Sequence, residues 1–477
     1  MNGEKLYFVA VGGTAMAPLA VLLAGRGHRV SGSDTALYPP MSDLVARAGV
    51  PVLPGFRAEN VPPDADRVVI GNAVPRTNPE VLRVLELGLP YLSLPQAIRR
   101  YLLPGKHSVV VTGTHGKTTT SALLAWILTD SGRDPGFLVG GELKNFGAGF
   151  RDGAGPHFLL EGDEYNAAFF DRGPKFLHYE PRTLLVNNVE FDHADLYPDV
   201  AAVEDAFRRV IEIVPPEGVV VANADDSRVR ALASAARAPV AFVSLEGSGD
   251  FRASDLAVDE RGTEFTVAEP GGAAARLRSP LHGRHNVRNA AMAYAAARRL
   301  GLSADEIASA LPRFAGVKRR LEVLGTRGGV LYVDDFAHHP TAVFETLSAA
   351  RQRWPGRRVW GLFEPRSITA GRKFFEKEYE RALAAADCIV LAPVFHAGRF
   401  SPGELIDREA VRRSLSALGR RVFVPERVEE IGPILEREAR PDDVVLLMSS
   451  GDLAGLRRRV ADETVGLTDQ MVRPNRE

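Results

Sequence analysis

Short apolar runs of Val, Ile and Leu recur along this chain, and longer stretches of helical period separate them. Such runs, roughly four to seven residues each, fit strands buried on both faces, and the stretches between them fit covering helices. This alternation predicts an α/β chain built on parallel sheets, in three blocks. The first runs from Tyr7-Phe8-Val9-Ala10-Val11 through a glycine turn and an Ala/Leu-rich stretch to His28-Arg29-Val30-Ser31-Gly32-Ser33-Asp34, one βαβ unit. After the break Leu103-Pro104-Gly105, a second block opens with a strand over 108–111 and a helix over 117–129. Within it, residues 250–278 read as hairpins with turns at Glu260-Arg261-Gly262 and Pro270-Gly271-Gly272. An Ala-rich helix over 285–300 follows, and then a helix start whose Ser303 and Glu306 form a capping box. The third block follows Lys318-Arg319-Arg320 and carries strands from Val330-Leu331-Tyr332-Val333 to Val444-Val445-Leu446-Leu447. The expected domains are 1–105, 106–318 and 319–477.

Charge and cysteine content narrow the function. The 59 Lys and Arg nearly cancel the 60 Asp and Glu, which leaves no overall footprint for nucleic acid or anionic lipid. Small molecules are the expected partners, with no nucleic acid, no membrane and no obligate protein partner. The single cysteine, Cys388, lies in the apolar run Cys388-Ile389-Val390-Leu391 and reads as a buried structural thiol in a reducing compartment. Met1-Asn2-Gly3-Glu4-Lys5 leads into a strand-like segment instead of an export signal, and no segment has the roughly 18 to 20 apolar residues of a spanning helix. The expected location is the cytoplasm.

The strongest local signal is Val109-Val110-Val111-Thr112-Gly113-Thr114-His115-Gly116-Lys117-Thr118-Thr119-Thr120. Strand, glycine loop and helix follow in the order that a phosphate cradle requires. Small residues let backbone N–H groups approach phosphate oxygens, and the helix N-terminus adds positive potential. Lys117 would neutralise β/γ-phosphate charge and Thr118 would ligate Mg²⁺. Val111 stands where the general nucleotide motif has its first glycine. Downstream, Phe158-Leu159-Leu160-Glu161-Gly162-Asp163-Glu164 gathers acids where an apolar strand ends, the usual place for ligands in a parallel sheet. A second strand, Thr183-Leu184-Leu185-Val186-Asn187-Asn188, leads to Glu190-Phe191-Asp192-His193. If the two strands are neighbours, Glu161 and His193 both face the phosphates. In the first block, Gly12-Gly13-Thr14-Ala15-Met16 opens a helix that can hold a pyrophosphate, and Ser33 and Asp34 end the next strand. A dinucleotide fingerprint is absent, because its glycine positions fall on Ala10, Gly12 and Ala15.

The loop Thr112-Gly113-Thr114-His115-Gly116-Lys117-Thr118 resembles the shortened ATP loop of the Mur ligases, which build the peptide of bacterial cell-wall precursors. The resemblance runs from about residue 5 to 460 and is strongest over 106–200. It implies a Rossmann-like N-terminal domain for the UDP-sugar, a phosphate-loop ATPase-like central domain with a small added β-sheet, and a Rossmann-like C-terminal domain for the amine substrate. It assigns ATP to Gly113, Thr114, His115, Gly116, Lys117, Thr118 and Thr119. By the same resemblance, Asn286 and Asn289 of Gly283-Arg284-His285-Asn286-Val287-Arg288-Asn289 face the nucleotide, Arg320 reaches the γ-phosphate, and Asp335 of Val333-Asp334-Asp335-Phe336-Ala337-His338-His339-Pro340 meets the ribose. Thr118, Glu161 and His193 are the implied Mg²⁺ ligands, and Lys117, Glu161, His193 and Arg320 the implied catalytic set. Gly12, Gly13, Thr14, Ala15, Met16, Ser33, Asp34 and Asn72 are implied to bind UDP-N-acetylmuramate.

Several members carry a carbamylated lysine after the Asp-His pair. This chain has no lysine from His193 to Val214, and Arg208 lies near that place. Asp163-Glu164-Tyr165-Asn166-Ala167-Ala168-Phe169-Phe170-Asp171, Lys175-Phe176-Leu177-His178-Tyr179 and Tyr38-Pro39-Pro40-Met41 look most like the recycling branch, which adds a recovered cell-wall tripeptide. Glu364-Pro365-Arg366-Ser367 resembles it too, implying Arg366 and Ser367 on the amine side, although Ile368 and Asn166 depart from the branch's usual Asn and Asp. The expectation is ATP-dependent joining of UDP-N-acetylmuramate to L-alanyl-γ-D-glutamyl-meso-diaminopimelate through an acyl phosphate. The alternatives are a ligase that adds L-alanine and, in another class, a non-catalytic nucleotide-sugar-binding regulator.

Overall fold

In a computed structural model that describes residues 3–401 and 403–463, the apolar runs assemble into three main sheets in chain order. The first holds β1 (Lys5–Val9), β2 (Arg29–Asp34), β3 (Val52–Pro54), β4 (Arg67–Ile70) and β5 (Tyr91–Ser93) in the order β3-β2-β1-β4-β5, all parallel. β1 stops earlier than the apolar run suggests, because Ala10 turns left-handed with φ 65°.

The central sheet is built around β6 (His107–Thr112). β7 (Gly136–Leu143), β8 (Ala148–Arg151) and β9 (His157–Glu161) lie on one side of it. A small separate hairpin, β10 (Asn166–Ala168) with β11 (Asp171–Pro174), follows in the chain. β12 (Thr183–Val186), β13 (Val219–Asn223) and β14 (Val240–Ser244) continue the sheet on the other side of β6, all parallel to it. Every residue of 109–111, 184–186 and 220–222 is fully buried, so the apolar runs are strands covered on both faces.

The hairpins β15 (Phe251–Asp259), β16 (Gly262–Ala268) and β17 (Ala274–Ser279) fall at the predicted turns. They extend the central sheet to ten strands, joined to β14 through only Val243↔Phe251 and Ser244↔Arg252. The third sheet contains β18 (Glu322–Arg327), β19 (Val330–Asp335), β20 (Val359–Phe363), β21 (Cys388–Leu391), β22 (Arg421–Phe423) and β23 (Val444–Met448), ordered β18-β19-β23-β20-β21-β22. Only β18 runs antiparallel to its neighbour. Cys388 is a free, buried thiol. Among the described residues, no helix is long and apolar enough to cross a membrane.

The Ala-rich stretch forms the helix Arg284–Arg299, whose residues 289–297 are all buried, against the helix Lys117–Asp130 and β13 to β15. Small side chains permit this close approach. The next helix, Ala304–Ala310, begins with the expected capping box: the Ser303 hydroxyl accepts from Glu306 N–H at 3.2 Å, and Glu306 Oε2 accepts from Ser303 N–H at 2.7 Å. Ser303→Ala should destabilise the central unit by about 1 kcal/mol and Ser303→Gly by only a few tenths. Urea-unfolding midpoints of the two variants check this order.

Candidate active site

β6 ends in the middle of the central sheet, and the chain turns through residues 113–116 into the helix Lys117–Asp130. Two of these positions require glycine. Gly113 has φ 134°, and a Cβ there would lie 2.9 Å from Asn187 Cβ. Gly116 has φ 78°, and its Cβ would lie 2.5 Å from Asn289 Oδ1. The loop is fixed from beyond the end of β12. Asn188 Oδ1 accepts from His115 N–H at 2.7 Å, Thr114 N–H donates to the Asn188 carbonyl at 3.0 Å, and Glu190 N–H donates to Thr114 Oγ1 at 2.9 Å.

Lys117 is buried at the loop's end. Its ammonium donates to the Gly113 carbonyl at 2.7 Å and lies 3.1 Å from Glu164 Oε2. Burial acts to lower its pKa, but the Glu164, Asp163 and Glu161 carboxylates overcome that and raise it. Glu164 Oε1 in turn meets His193 Nε2 at 2.9 Å. Burial acts to raise the Glu164 carboxyl, yet Lys117 and His193 hold it down at about 2. Burial likewise opposes the charged form of His193, and Glu164 with Asp192 outweighs it, so the imidazole pKa is raised. His193 sits in left-handed backbone, φ 56°, an uncommon conformation for a non-glycine residue. Its carbonyl accepts from Leu196 and Tyr197 N–H, at 2.8 and 3.0 Å, which hold that turn.

Beside this Lys–Glu–His row, Glu161 at the end of β9 accepts from the Thr118 hydroxyl at 2.9 Å and from Gly140 N–H at 2.7 Å. Burial first, and Asp163 second, raise its pKa against the pull of Lys117. A half-buried carboxylate beside a hydroxyl offers oxygen donors whose desolvation cost a hard cation would offset. Arg320 Nη2 donates to the same Thr118 hydroxyl at 3.3 Å. Glu161 and His193 do not come from neighbouring strands, as the sequence suggested. β6 lies between β9 and β12, so the two side chains approach the phosphate loop from opposite sides, and His193 follows beyond the end of β12. Strand order is a long-range property that the local apolar pattern does not encode.

An open cavity of about 1880 Å³ runs across all three units. From the first unit, Gly13, Thr14, Ala15, Met16 and Asn72 line it. The central unit contributes residues 114–119, Glu161, His193, Asn286 and Asn289, and the third unit contributes Arg320 and Asp335. Asn289 supports the loop helix, with its Oδ1 accepting from the Thr120 hydroxyl at 3.3 Å and its amide donating to Asn286 Oδ1 at 3.2 Å. The Asp335 carboxylate accepts from Leu321 N–H and Ala337 N–H, both at 2.8 Å, and from the Thr346 hydroxyl at 3.2 Å. Its hydrogen bonds hold the arginine segment in place, and the carboxylate is buried.

Other predicted residues stand elsewhere. Ser33 is fully buried and donates to Glu80, because β2 packs within its sheet and turns that side chain inward. Asp34 Oδ2 accepts from Gly12 N–H at 2.8 Å, so Asp34 and Gly12 shape the glycine turn from behind. Arg366 and Ser367 lie outside the cavity lining. The Arg366 guanidinium covers the Phe395 ring at 3.6 Å, and Ser367 Oγ accepts from Ala370 N–H at 2.9 Å. Their segment still abuts the site, since Ala194 N–H donates to Thr369 Oγ1 at 3.2 Å. Residue patterns gave no specific part to Glu164, Asn188 or Glu190. Asn188 was within reach, because it stands two residues after an apolar strand that pairs with β6. Nothing local distinguishes Glu164 from the acids beside it.

Gly116→Ala combines left-handed strain with the 2.5 Å approach to Asn289. It should weaken ATP binding by at least about tenfold while the melting temperature stays near that of the parent chain. Calorimetric titration with ATP measures the first, and a thermal melt the second.

Three adjacent segments of the chain match three family models. Residues 5–103 match the Mur ligase family catalytic domain, 111–297 the Mur ligase middle domain, and 319–451 the Mur ligase glutamate ligase domain. The UDP-N-acetylmuramate–L-alanyl-γ-D-glutamyl-meso-2,6-diaminoheptandioate ligase of Escherichia coli K12 is 36% identical over 96% of this chain and 98% of its own length. The UDP-N-acetylmuramate–L-alanine ligase of Rubrobacter xylanophilus is 36% identical over 94% of this chain and 98% of its own. The crystal structure of a murein peptide ligase from Psychrobacter arcticus is 33% identical, with a TM-score of 0.73 over 96% of this chain and 98% of that one. The chain therefore belongs to the Mur ligase family and is an ATP-dependent ligase that forms an amide bond.

Proposed function

We propose that this ligase joins UDP-N-acetylmuramate to the tripeptide L-alanyl-γ-D-glutamyl-meso-diaminopimelate, in the cytoplasm, as a step of cell-wall peptide recycling. The supporting observation is full-length likeness to ligases named for that tripeptide, at 34–36% identity, in a chain whose cavity connects a glycine-opened helix to a phosphate loop. The glycine turn at 12–16 and Asn72 receive the UDP-sugar, with Asp34 setting the turn. Backbone N–H groups at the end of the loop and the start of the helix, residues 116–118, take the triphosphate, and Lys117 is spaced to neutralise it.

A lactyl carboxylate oxygen then bonds to the γ-phosphorus while the bond to ADP breaks, giving an acyl phosphate. Arg320, already on Thr118, stabilises charge gathering on the transferred group. The tripeptide α-amine next attacks the acyl carbon and loses a proton, and phosphate leaves as the C–O bond breaks. Thr118, Glu161 and His193 would hold Mg²⁺, which when bound spreads the phosphate charge. The Thr118 hydroxyl and Glu161 carboxylate fit that hard ion by donor type and proximity. The loops of the third unit exclude water, which would hydrolyse the acyl phosphate.

Purified protein given ATP, UDP-N-acetylmuramate and either the tripeptide or free L-alanine should release phosphate with the tripeptide. Turnover with alanine alone would transfer the chain to the alanine-adding branch. Lys117→Ala should lower turnover by at least about a hundredfold, with UDP-sugar binding retained. Phosphate release and calorimetry with the UDP-sugar give the two readings. Undiminished turnover would take Lys117 out of the reaction.

A further inference from the structure

Three side chains beside the phosphate loop have no part in the reaction above. His115 lies in the loop, Glu190 follows β12, and His339 precedes the helix Pro340–Arg353 of the third unit. Their donor atoms, one from each residue, lie within 4.8 Å of one another. Glu190 Oε2 is 3.6 Å from His115 Nε2 and 3.6 Å from His339 Nδ1. Those separations are long for hydrogen bonds and close to the roughly 3.3 Å edge of a tetrahedron with metal–nitrogen bonds of about 2.0 Å. Closing the widest pair onto one ion asks for a shift of about 1.5 Å at most, within the reach of one imidazole rotation.

The surrounding hydrogen bonds prepare these atoms as ligands. His339 Nε2 faces the Phe191 carbonyl at 3.3 Å, and a carbonyl only accepts, so the proton sits on Nε2 and Nδ1 is left as the acceptor. That lone pair receives just one weak contact, from Thr341 N–H at 3.3 Å. His115 Nε2 is buried and has no hydrogen-bond partner. Glu190 Oε2 accepts from the Thr341 hydroxyl at 2.6 Å, the kind of outer contact that orients a ligating carboxylate. The two imidazoles pack against each other, ring centroids 4.5 Å apart.

We propose that His115, Glu190 and His339 form a second cation site, suited to Zn²⁺ or a similar borderline metal, that fastens the phosphate loop to the C-terminal unit. Two imidazoles and one carboxylate favour such an ion over Mg²⁺, which prefers oxygen ligands. Two ligands belong to the central unit and the third to the C-terminal unit, so an ion held by all three pins one against the other. The site does not depend on which amine the ligase uses.

The test uses the full chain stripped with a chelator and free of nucleotide, with Zn²⁺ as the probe in competition with a chromogenic chelator, and with Co²⁺ as a spectroscopic substitute. Glu190→Gln and His339→Gln each remove one ligand, and Glu161→Gln disables the oxygen site instead. The proposal expects binding of one Zn²⁺ that millimolar Mg²⁺ does not displace, the visible bands of four-coordinate Co²⁺, and affinity at least about tenfold weaker in Glu190→Gln and His339→Gln. Glu161→Gln should bind as the parent does. Equal binding by the parent, Glu190→Gln and His339→Gln, or loss in Glu161→Gln alone, overturns it. Glu190→Gln keeps an acceptor for Thr341, so the test stands even if His339→Gln, which loses a helix cap, fails to fold.

Discussion

A buried ammonium cannot stand alone, and the centre of this molecule is arranged around that requirement. Lys117 is withdrawn from water at the start of a helix, where both desolvation and the helix's positive end oppose its charge. Glu164 pairs with it, and His193 pairs with Glu164. The row ties together three segments that meet nowhere else in sequence: the phosphate loop, the turn after β9 and the loop after β12. Removing the middle carboxylate would leave the buried Lys117 ammonium without its partner, a far larger cost than the loss of one surface ion pair.

Features that rest on local spacing could be read directly from the residues. Helix and strand periods gave the three sheets, Gly262 and the Gly271-Gly272 pair marked the hairpin turns, and Ser303 with Glu306 marked a helix start. The strand, glycine and helix order of 109–120 located the phosphate loop for the same reason: each of its parts is a short-range constraint. Strand order was hidden, because the insertion of β6 between β9 and β12 follows from which distant segments pair. Side-chain direction was hidden too. Ser33 shares a face of β2 with the exposed Arg29, so the alternation along the strand does not show that its hydroxyl is buried against Glu80. The packing of the Arg366 guanidinium on the Phe395 ring was hidden as well, because the two residues are far apart in sequence.

The third unit reaches the site through more than one contact. Asp335 grips Leu321 N–H, and so sets where Arg320 points. Thr369 meets the backbone just after His193, and Thr341 meets Glu190. The last two are short polar contacts between the third unit and the central one, the type of interface that can part and re-form without disturbing an apolar core.

The placement of β6 also bears on how the chain acquires its structure. Val111 pairs with Glu161, and Thr112 with Val186, so both flanks of the strand that carries the loop come from far downstream. Closing such long loops is entropically costly before their contacts reward it, which makes high contact order and slow assembly the expectation for this sheet. During synthesis the loop emerges well before either flanking strand. Nucleotide affinity should therefore arise as a late property of the folding chain, present only once both partners have docked.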